Sequence, residues 1–164
     1  YQMLVLGLDP GLATTGYGFV EGDGQHLYPI TYGVLRTPAG ITVAQRLVQL
    51  HQALSDLLAA YKPDVAAVEQ LFFATNARTA MAVGEARGVL LLTLAQANIA
   101  IEEYTPLQIK EAITGYGQAD KMQVQQMVRL LLNLAELPRP DDAADALAVS
   151  ICHHHSSRMA GLLK

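Results

Sequence analysis

Four acidic residues, far apart in the chain, are the side chains best suited to chemistry: Asp9, Glu69, Asp142 and Asp145. Asp9 ends an apolar segment just before Pro10-Gly11, and Glu69 ends a second apolar segment. Asp142 and Asp145 are three residues apart, so they are neighbours on one face of a predicted helix start. Carboxylates that converge without matching cations suit divalent metal ions better than they suit a stable core. The pattern therefore predicts metal-dependent chemistry on phosphate.

Each acid also has a plainer interpretation when it is taken alone. Asp9 suits a surface turn, and an acid before a Gly-rich turn also opens actin-like kinases and ATPases. Glu69 is typical of a solvated strand end, and Asp141 or Asp142 suits a helix cap. Asp145 is harder to explain in this way, because its small apolar neighbours indicate a helix packed closely on a sheet. Those neighbours are Ala143, Ala144, Ala146, Leu147 and Ala148.

Hydrophobic spacing predicts the elements that must position these acids. Three antiparallel strands are expected within residues 3–37, with a hairpin at Gly22-Asp23-Gly24. A capping box at Thr42 then begins a helix from Val43, which is followed by a strand at 65–69, a helix at 76–97 and a strand at 99–104. Three helices complete the order: a short one from Pro106, one capped by Asp120, and a last one at 141–155. This order predicts an α/β fold with a five-stranded mixed sheet flanked by helices, in a single domain over residues 1–164.

Composition narrows the class of protein. The chain has 164 residues, of which 51% are hydrophobic and 16% are charged, so we expect a compact globular protein. Cys152 is the only cysteine, which excludes an internal disulfide, and its apolar surroundings predict a core residue in a cytoplasmic protein. The net charge of −4 equals the charge of the four acids, so the other charges balance. A nucleic-acid partner is therefore not excluded.

Several motifs occur in order along nearly the whole chain: GLDPG with TGYG, VEQLFFATNARTA, GEARG, YTPLQIKEAITGYGQADKMQVQQMV and DDAADALAV. Together they resemble the RuvC family of bacterial Holliday-junction resolvases. The resemblance implies a ribonuclease H-like fold and a homodimer with two active sites. It also implies paired, symmetric nicks in opposing strands of four-way DNA junctions, in recombination and repair. RuvA and RuvB, the branch-migration proteins, are the implied partners.

The resemblance also assigns roles to residues. It places the catalytic and metal-binding acids at Asp9, Glu69, Asp142 and Asp145, with Asp142 the most replaceable because some relatives have histidine there. Two Mg²⁺ ions per active site are expected, and Mn²⁺ should substitute for them. The residues expected to bind DNA are Phe72, Phe73, Arg78, Lys110 and Lys121. Phe72 matches the aromatic residue of the family that stacks on bases.

Other functions stay open at this point. A different ribonuclease H-like nuclease would cut RNA–DNA hybrid or ordinary duplex. A junction-binding protein with a decayed site would not cut at all, although the complete set of acids disfavours this. An actin-like phosphotransferase is disfavoured because that architecture needs two such domains.

Two further patterns each have a structural interpretation. The small residues Ala77, Ala80, Gly84 and Gly88 form a stripe along one helix, which favours either a dimer contact or close packing within the monomer. His153–His155 resemble a metal cluster, but consecutive helical residues point about 100° apart. We therefore expect these histidines to mark a solvated helix end.

Overall fold

The structure is a computed structural model, and it describes residues 2–70 and 77–163. Its strands are β1 (Met3–Asp9), β2 (Thr14–Gly22), β3 (Leu27–Arg36), β4 (Val65–Glu69) and β5 (Ala100–Tyr104). Its helices are α1 (Val43–Tyr61), α2 (Ala77–Gln96), α3 (Pro106–Thr114), α4 (Lys121–Leu131) and α5 (Asp141–Leu162). Among the described residues, no helix is both long enough and apolar enough to cross a bilayer.

The strands form one mixed sheet in the order β3-β2-β1-β4-β5. β1, β2 and β3 are antiparallel neighbours, whereas β4 runs parallel to both β1 and β5. The predicted five-stranded mixed sheet is therefore confirmed. The carboxyl ends of β1, β4 and β5 meet at one edge, where loops of parallel strands commonly build sites.

Side-chain alternation along the strands divides the core into two layers. In β1, Leu6 and Leu8 face a layer formed with α1 and α2, while Val5 faces a layer formed with α3, α4 and α5. Cys152 is buried in the second layer, as predicted. One domain over residues 1–164 stays a prediction, and the packing of both helix layers on a single sheet supports it.

Helix α5 lies directly on the sheet because glycine faces it at the points of contact. A Cβ atom on Gly7 would overlap the backbone oxygen of Ala146, and one on Gly16 would overlap the backbone oxygen of Asp142. Ser150 also ties the helix to β1, donating its hydroxyl to the Val5 carbonyl oxygen at 3.0 Å. The close approach predicted from the small residues of α5 is thus present, and it fixes where the helix begins relative to the sheet.

The helix ends agree with the sequence in most places. Thr42 and Asp120 both form capping boxes, with Gln45 and Gln123 respectively. At α5 the N-cap is Pro140, and within residues 2–70 and 77–163 no side chain makes a capping hydrogen bond to the helix. Capping therefore does not explain the acids of the first turn. The same helix extends to Leu162, well beyond the predicted end at 155.

Candidate active site

Strand register places the first two acids side by side. β1 and β4 are parallel, with Leu8 opposite Val68, and Asp9 and Glu69 are the residues that follow these two. Both acids face the α5 side of the sheet, as Val5 and Ala67 do in the same strands. Asp9 pairs with Gly16, which is the point where the first turn of α5 passes closest to the sheet. The fold therefore directs both strand-end carboxylates towards the start of α5.

The start of α5 supplies the other two acids. One carboxylate oxygen each from Asp9, Asp142 and Asp145 lies within 4.8 Å of the others. Glu69 joins the same cluster, because its carboxylate accepts a hydrogen bond from Asp9. All four side chains are only partly buried, so a ligand can reach them. The structure thus brings together all four acids on which the sequence prediction depended.

Crowding of these carboxylates changes their proton affinity. Burial, together with the charges of Glu69, Asp145 and Asp142, raises the pKa of Asp9 to about 9. Burial and neighbouring acids also raise the pKa of Glu69 and of Asp145. Asp9 is therefore protonated at neutral pH in the metal-free protein, and it shares that proton with Glu69 and Asp145 through hydrogen bonds.

Two lysines border the acids. Lys110 and Lys121 line a cleft of about 330 Å³ together with Glu69 and Asp145. Lys121 Nζ lies 3.6 Å from Asp145 Oδ2 and 3.6 Å from Asp141 Oδ2. Partial burial opposes the charge of Lys121, but Asp145 and Asp141 outweigh it and raise the lysine pKa. The expectation that the acids lack any matching cation is therefore wrong for Asp145, because one lysine balances part of the charge.

The donor set still fits a hard divalent cation. Four carboxylates supply only oxygen atoms, which are the ligands that Mg²⁺ and Mn²⁺ prefer. Burial and the charges of Glu69, Asp145 and Asp142 disfavour the ionised form of Asp9 and raise its pKa to about 9, so part of the repulsion among the acids persists although Lys121 lies beside Asp145. A bound divalent cation would relieve it by replacing the shared proton. The cluster is thus chemically suited to a metal ion.

Comparisons with known proteins decide the family. The model of the family described as "Crossover junction endodeoxyribonuclease RuvC" matches residues 5–153. The chain belongs to the RuvC family. A RuvC of Desulforamulus reducens is 55% identical over 163 residues, which span 99% of this chain and 100% of that protein. A RuvC of Thermomicrobium roseum is 56% identical over 160 residues, or 98% of each chain.

A solved RuvC structure shows the same fold. The Thermus thermophilus RuvC in complex with Holliday junction substrate has a TM-score of 0.92 and 34% sequence identity, and the match covers 96% of each chain. The ribonuclease H-like fold predicted from the sequence is therefore confirmed.

The remaining residues expected to bind DNA are placed less completely. Arg78 is exposed in the first turn of α2, after the end of β4. Phe72 and Phe73 lie outside the described residues. Lys110 and Lys121, by contrast, lie in the cleft beside the acids. DNA binding by all five residues stays a prediction.

The interpretation of His153–His155 as a solvated helix end is wrong. Nδ1 of His153 lies 2.7 Å from the Tyr104 hydroxyl, and Nδ1 of His155 donates to the Ala112 carbonyl oxygen at 2.9 Å. His154 is only 2% exposed and donates from Nε2 to the Val20 carbonyl oxygen at 2.9 Å. The helix continues past these residues, so they lie against the core rather than at its end.

Sequence reasoning missed Arg87. This arginine belongs to the GEARG motif, which supported the RuvC resemblance but suggested no role for the side chain. In the structure, Arg87 Nη1 donates to the backbone oxygen of Glu69 at 2.6 Å. An arginine between small residues, on the helix that follows an acid-ending strand, was the available signal. Nothing in the spacing indicated which acid it would support.

Proposed function

We propose that this RuvC-family chain is a Holliday-junction-resolving endonuclease that acts in recombination and repair. It would hydrolyse phosphodiester bonds at symmetric positions in opposing strands of a four-way DNA junction. The observation that carries the proposal is the convergence of Asp9, Asp142 and Asp145 within 4.8 Å, beside Glu69, in a chain of this family. Because its substrate would be chromosomal DNA, we propose that the enzyme acts in the cytoplasm.

We propose Mg²⁺ as the metal, with two ions per active site held by Asp9, Glu69, Asp142 and Asp145, and Mn²⁺ as a substitute. Bound there, the metal would supply an activated water and positive charge for the leaving oxygen. Asp9 must lose its proton for this, so metal binding should release protons near neutral pH. The proposed products are 5′-phosphate and 3′-hydroxyl ends.

The two lysines are proposed to act on the substrate. Lys121 Nζ is 3.6 Å from Asp145, so a phosphate held at the acids would lie within its reach. Lys110 lines the same cleft and would offset charge on the DNA backbone. Phe72 and Phe73 are proposed to stack on unpaired bases at the junction centre, and Arg78 to contact phosphate.

A homodimer is proposed because two strands must be cut at related positions. One face of α2 is open to solvent among the described residues: Met81 is 70% exposed and Leu92 is 54% exposed. Gly88 lies on the same face, and a Cβ there would meet no described atom within 4 Å. Packing against the described residues of the monomer therefore does not explain Gly88, and contact with a second copy is the favoured role. RuvA and RuvB are the proposed partners at the junction.

A cleavage panel tests the function. The protein is incubated with a mobile four-way junction, a fixed junction, linear duplex and RNA–DNA hybrid, each with Mg²⁺, Mn²⁺ or EDTA. We expect paired nicks in the mobile junction with either metal and none in EDTA. Preferential cutting of the hybrid would replace the proposal with a hybrid nuclease. Binding of junctions without any cutting would replace it with a junction-binding protein.

A further inference from the structure

Arg87 joins α2 to the end of β4 through two separate contacts. Its Nη1 donates to the backbone oxygen of Glu69 at 2.6 Å, and its Nη2 pairs with the carboxylate of Glu103. The arginine side chain is 13% exposed and that of Glu103 is 39% exposed. The guanidinium is thus held between a backbone group of the active site and a charged side chain of β5.

The contact falls at the carboxyl end of β4, beside the last pairing of that strand with β5. Glu69 is the last residue of the strand, and the next amide, Gln70 N, donates to the Tyr104 carbonyl oxygen at 2.8 Å. The Glu69 carbonyl itself points to Arg87. Because a planar guanidinium with two engaged donors resists rotation, it fixes the peptide group that sets the direction of the Glu69 side chain.

Arg87 also borders the acid cluster, in a recess separate from the cleft that the lysines line. Together with Asp9, Glu69, Gln70 and other residues, it lines a recess of about 190 Å³. Lys110 and Lys121 belong to the separate cleft of about 330 Å³, which shares Glu69 with the recess. Glu69 is therefore held from one side and open to substrate from the other.

We propose that Arg87 is a positioning residue that holds Glu69 in its metal-binding orientation, with Glu103 as the anchor of the arginine. The inference rests on the proposed function, since it assigns a supporting role at the same site. Partners of this kind, one step removed from a metal, are worth about 10–100-fold in metal affinity or activity.

Metal binding without DNA is the first test. Mn²⁺ affinity is measured by calorimetry for wild type, Arg87→Met, Arg87→Lys and Glu103→Gln. We expect Arg87→Met to weaken Mn²⁺ binding about 10-fold or more. Arg87→Lys should recover part of the loss, because an ammonium can still donate to the Glu69 carbonyl. Glu103→Gln should cause a smaller loss, since it weakens only the anchor.

The matched control is Arg158→Met, which removes an arginine near the far end of α5, where it lies close to Gly24. This variant should bind Mn²⁺ as wild type does. Unchanged Mn²⁺ affinity in Arg87→Met would overturn the proposal. An equal loss of Mn²⁺ affinity in Arg87→Met and Arg87→Lys would overturn it as well.

Cleavage and junction binding supply the second readout. In Arg87→Met the Mg²⁺ concentration for half-maximal cleavage should rise about 10-fold or more, while junction binding in EDTA stays within about twofold. An equal loss of binding in EDTA would indicate general damage and overturn the assignment. If Arg87→Met does not fold, Arg87→Lys and Glu103→Gln still test the proposal, because each should weaken Mn²⁺ binding relative to wild type. Failure of the wild type to cut junctions would refute the proposed function, yet the Mn²⁺ measurement would still decide the role of Arg87.

Discussion

At its first turns, α5 brings Asp142 and Asp145 against Asp9, whereas later in the same helix His153–His155 contact three different elements. The acids share one small volume, where burial and their mutual charges raise the pKa of Asp9 to about 9. The histidines diverge, and each has its own hydrogen-bond partner. Both groups looked like metal ligands in the sequence. Only the acids converge.

A polar group that stabilises the fold and a polar group that forms a binding site differ in whether the chain supplies a partner. A polar side chain that stabilises a fold has a complementary partner, as His154 has in the Val20 carbonyl oxygen. The four acids instead repel one another, and the nearby lysines offset only part of this: Lys121 pairs with Asp145, yet the pKa of Asp9 stays raised. Unrelieved repulsion at an accessible point favours a ligand that the chain itself does not supply.

The largest expected effect is on cleavage. Asp9→Asn keeps the size of the side chain but removes a metal-binding charge at the centre of the cluster. We expect junction cleavage to fall by about a thousandfold or more, equivalent to about 4 kcal/mol of activation free energy. Junction binding in EDTA should change little, because Asp9 is not proposed to contact DNA. The measurement is single-turnover cleavage with a gel-shift assay beside it. Cleavage at the wild-type rate would remove Asp9 from the mechanism.

The sequence predicts one end of α5 better than the other, and the reason is the range of the interactions. Asp9 and Glu69 could be placed because strand ends and side-chain alternation are local patterns. Asp145 could be placed because its small neighbours signal close packing. The partners of His153 and His154 lie 49 and 134 residues away along the chain, and no spacing rule connects them.

The same limit applies to the cations of the site. Lys121 was predicted near the acids from family resemblance, but its ion pair with Asp145 depends on how α4 packs beside α5. Arg87 approaches Glu69 from the opposite face of the sheet, through a backbone oxygen that carries no signal in the sequence. Side chains that act on the backbone of a site are therefore the part that sequence reasoning finds last.

Mutation of a histidine in α5 should lower the stability of the protein and leave metal binding unchanged. His154→Ala would remove a buried ring and leave the Val20 carbonyl oxygen without its partner. We expect the free energy of unfolding to fall by about 2–3 kcal/mol, with Mn²⁺ affinity unchanged. Urea denaturation and calorimetry measure the two quantities. A weaker Mn²⁺ affinity with normal stability would contradict the comparison between the two ends.

His154 should also make stability depend on pH. Burial lowers its pKa below the ordinary 6.5, so between the two values the unfolded state binds a proton that the folded state does not. The free energy of unfolding should therefore decrease as pH falls below about 6.5. In His154→Ala the contribution of this group disappears, and the difference from wild type should shrink towards low pH.

The smallest expected effect has the opposite sign and concerns the acid end without metal. Asp9 has a pKa of about 9 in the folded protein against 3.8 ordinarily, so across that interval the folded state holds a proton that the unfolded state has lost. This contribution to stability is complete below pH 3.8 and is lost as pH rises towards 9. Asp9→Asn lacks the titrating group. In EDTA at pH 9 it should be more stable than wild type by about 1–2 kcal/mol, or about 2–8 °C in Tm.

Added Mg²⁺ should reverse the order at that pH, because the wild type binds the metal more tightly than Asp9→Asn. Asp23→Asn is the matched control, since backbone hydrogen bonds from His26 and Gln25 lower the pKa of Asp23 to about 2. A lowered pKa adds stability above the ordinary value and loses it as pH falls, so this variant should show no gain at pH 9. Thermal melts of the three proteins from pH 4 to 9 measure the slopes. If the wild-type protein in EDTA instead gains stability relative to Asp9→Asn as pH rises, neither burial nor the neighbouring acids disfavour the Asp9 carboxylate, and the contrast with the histidines is lost.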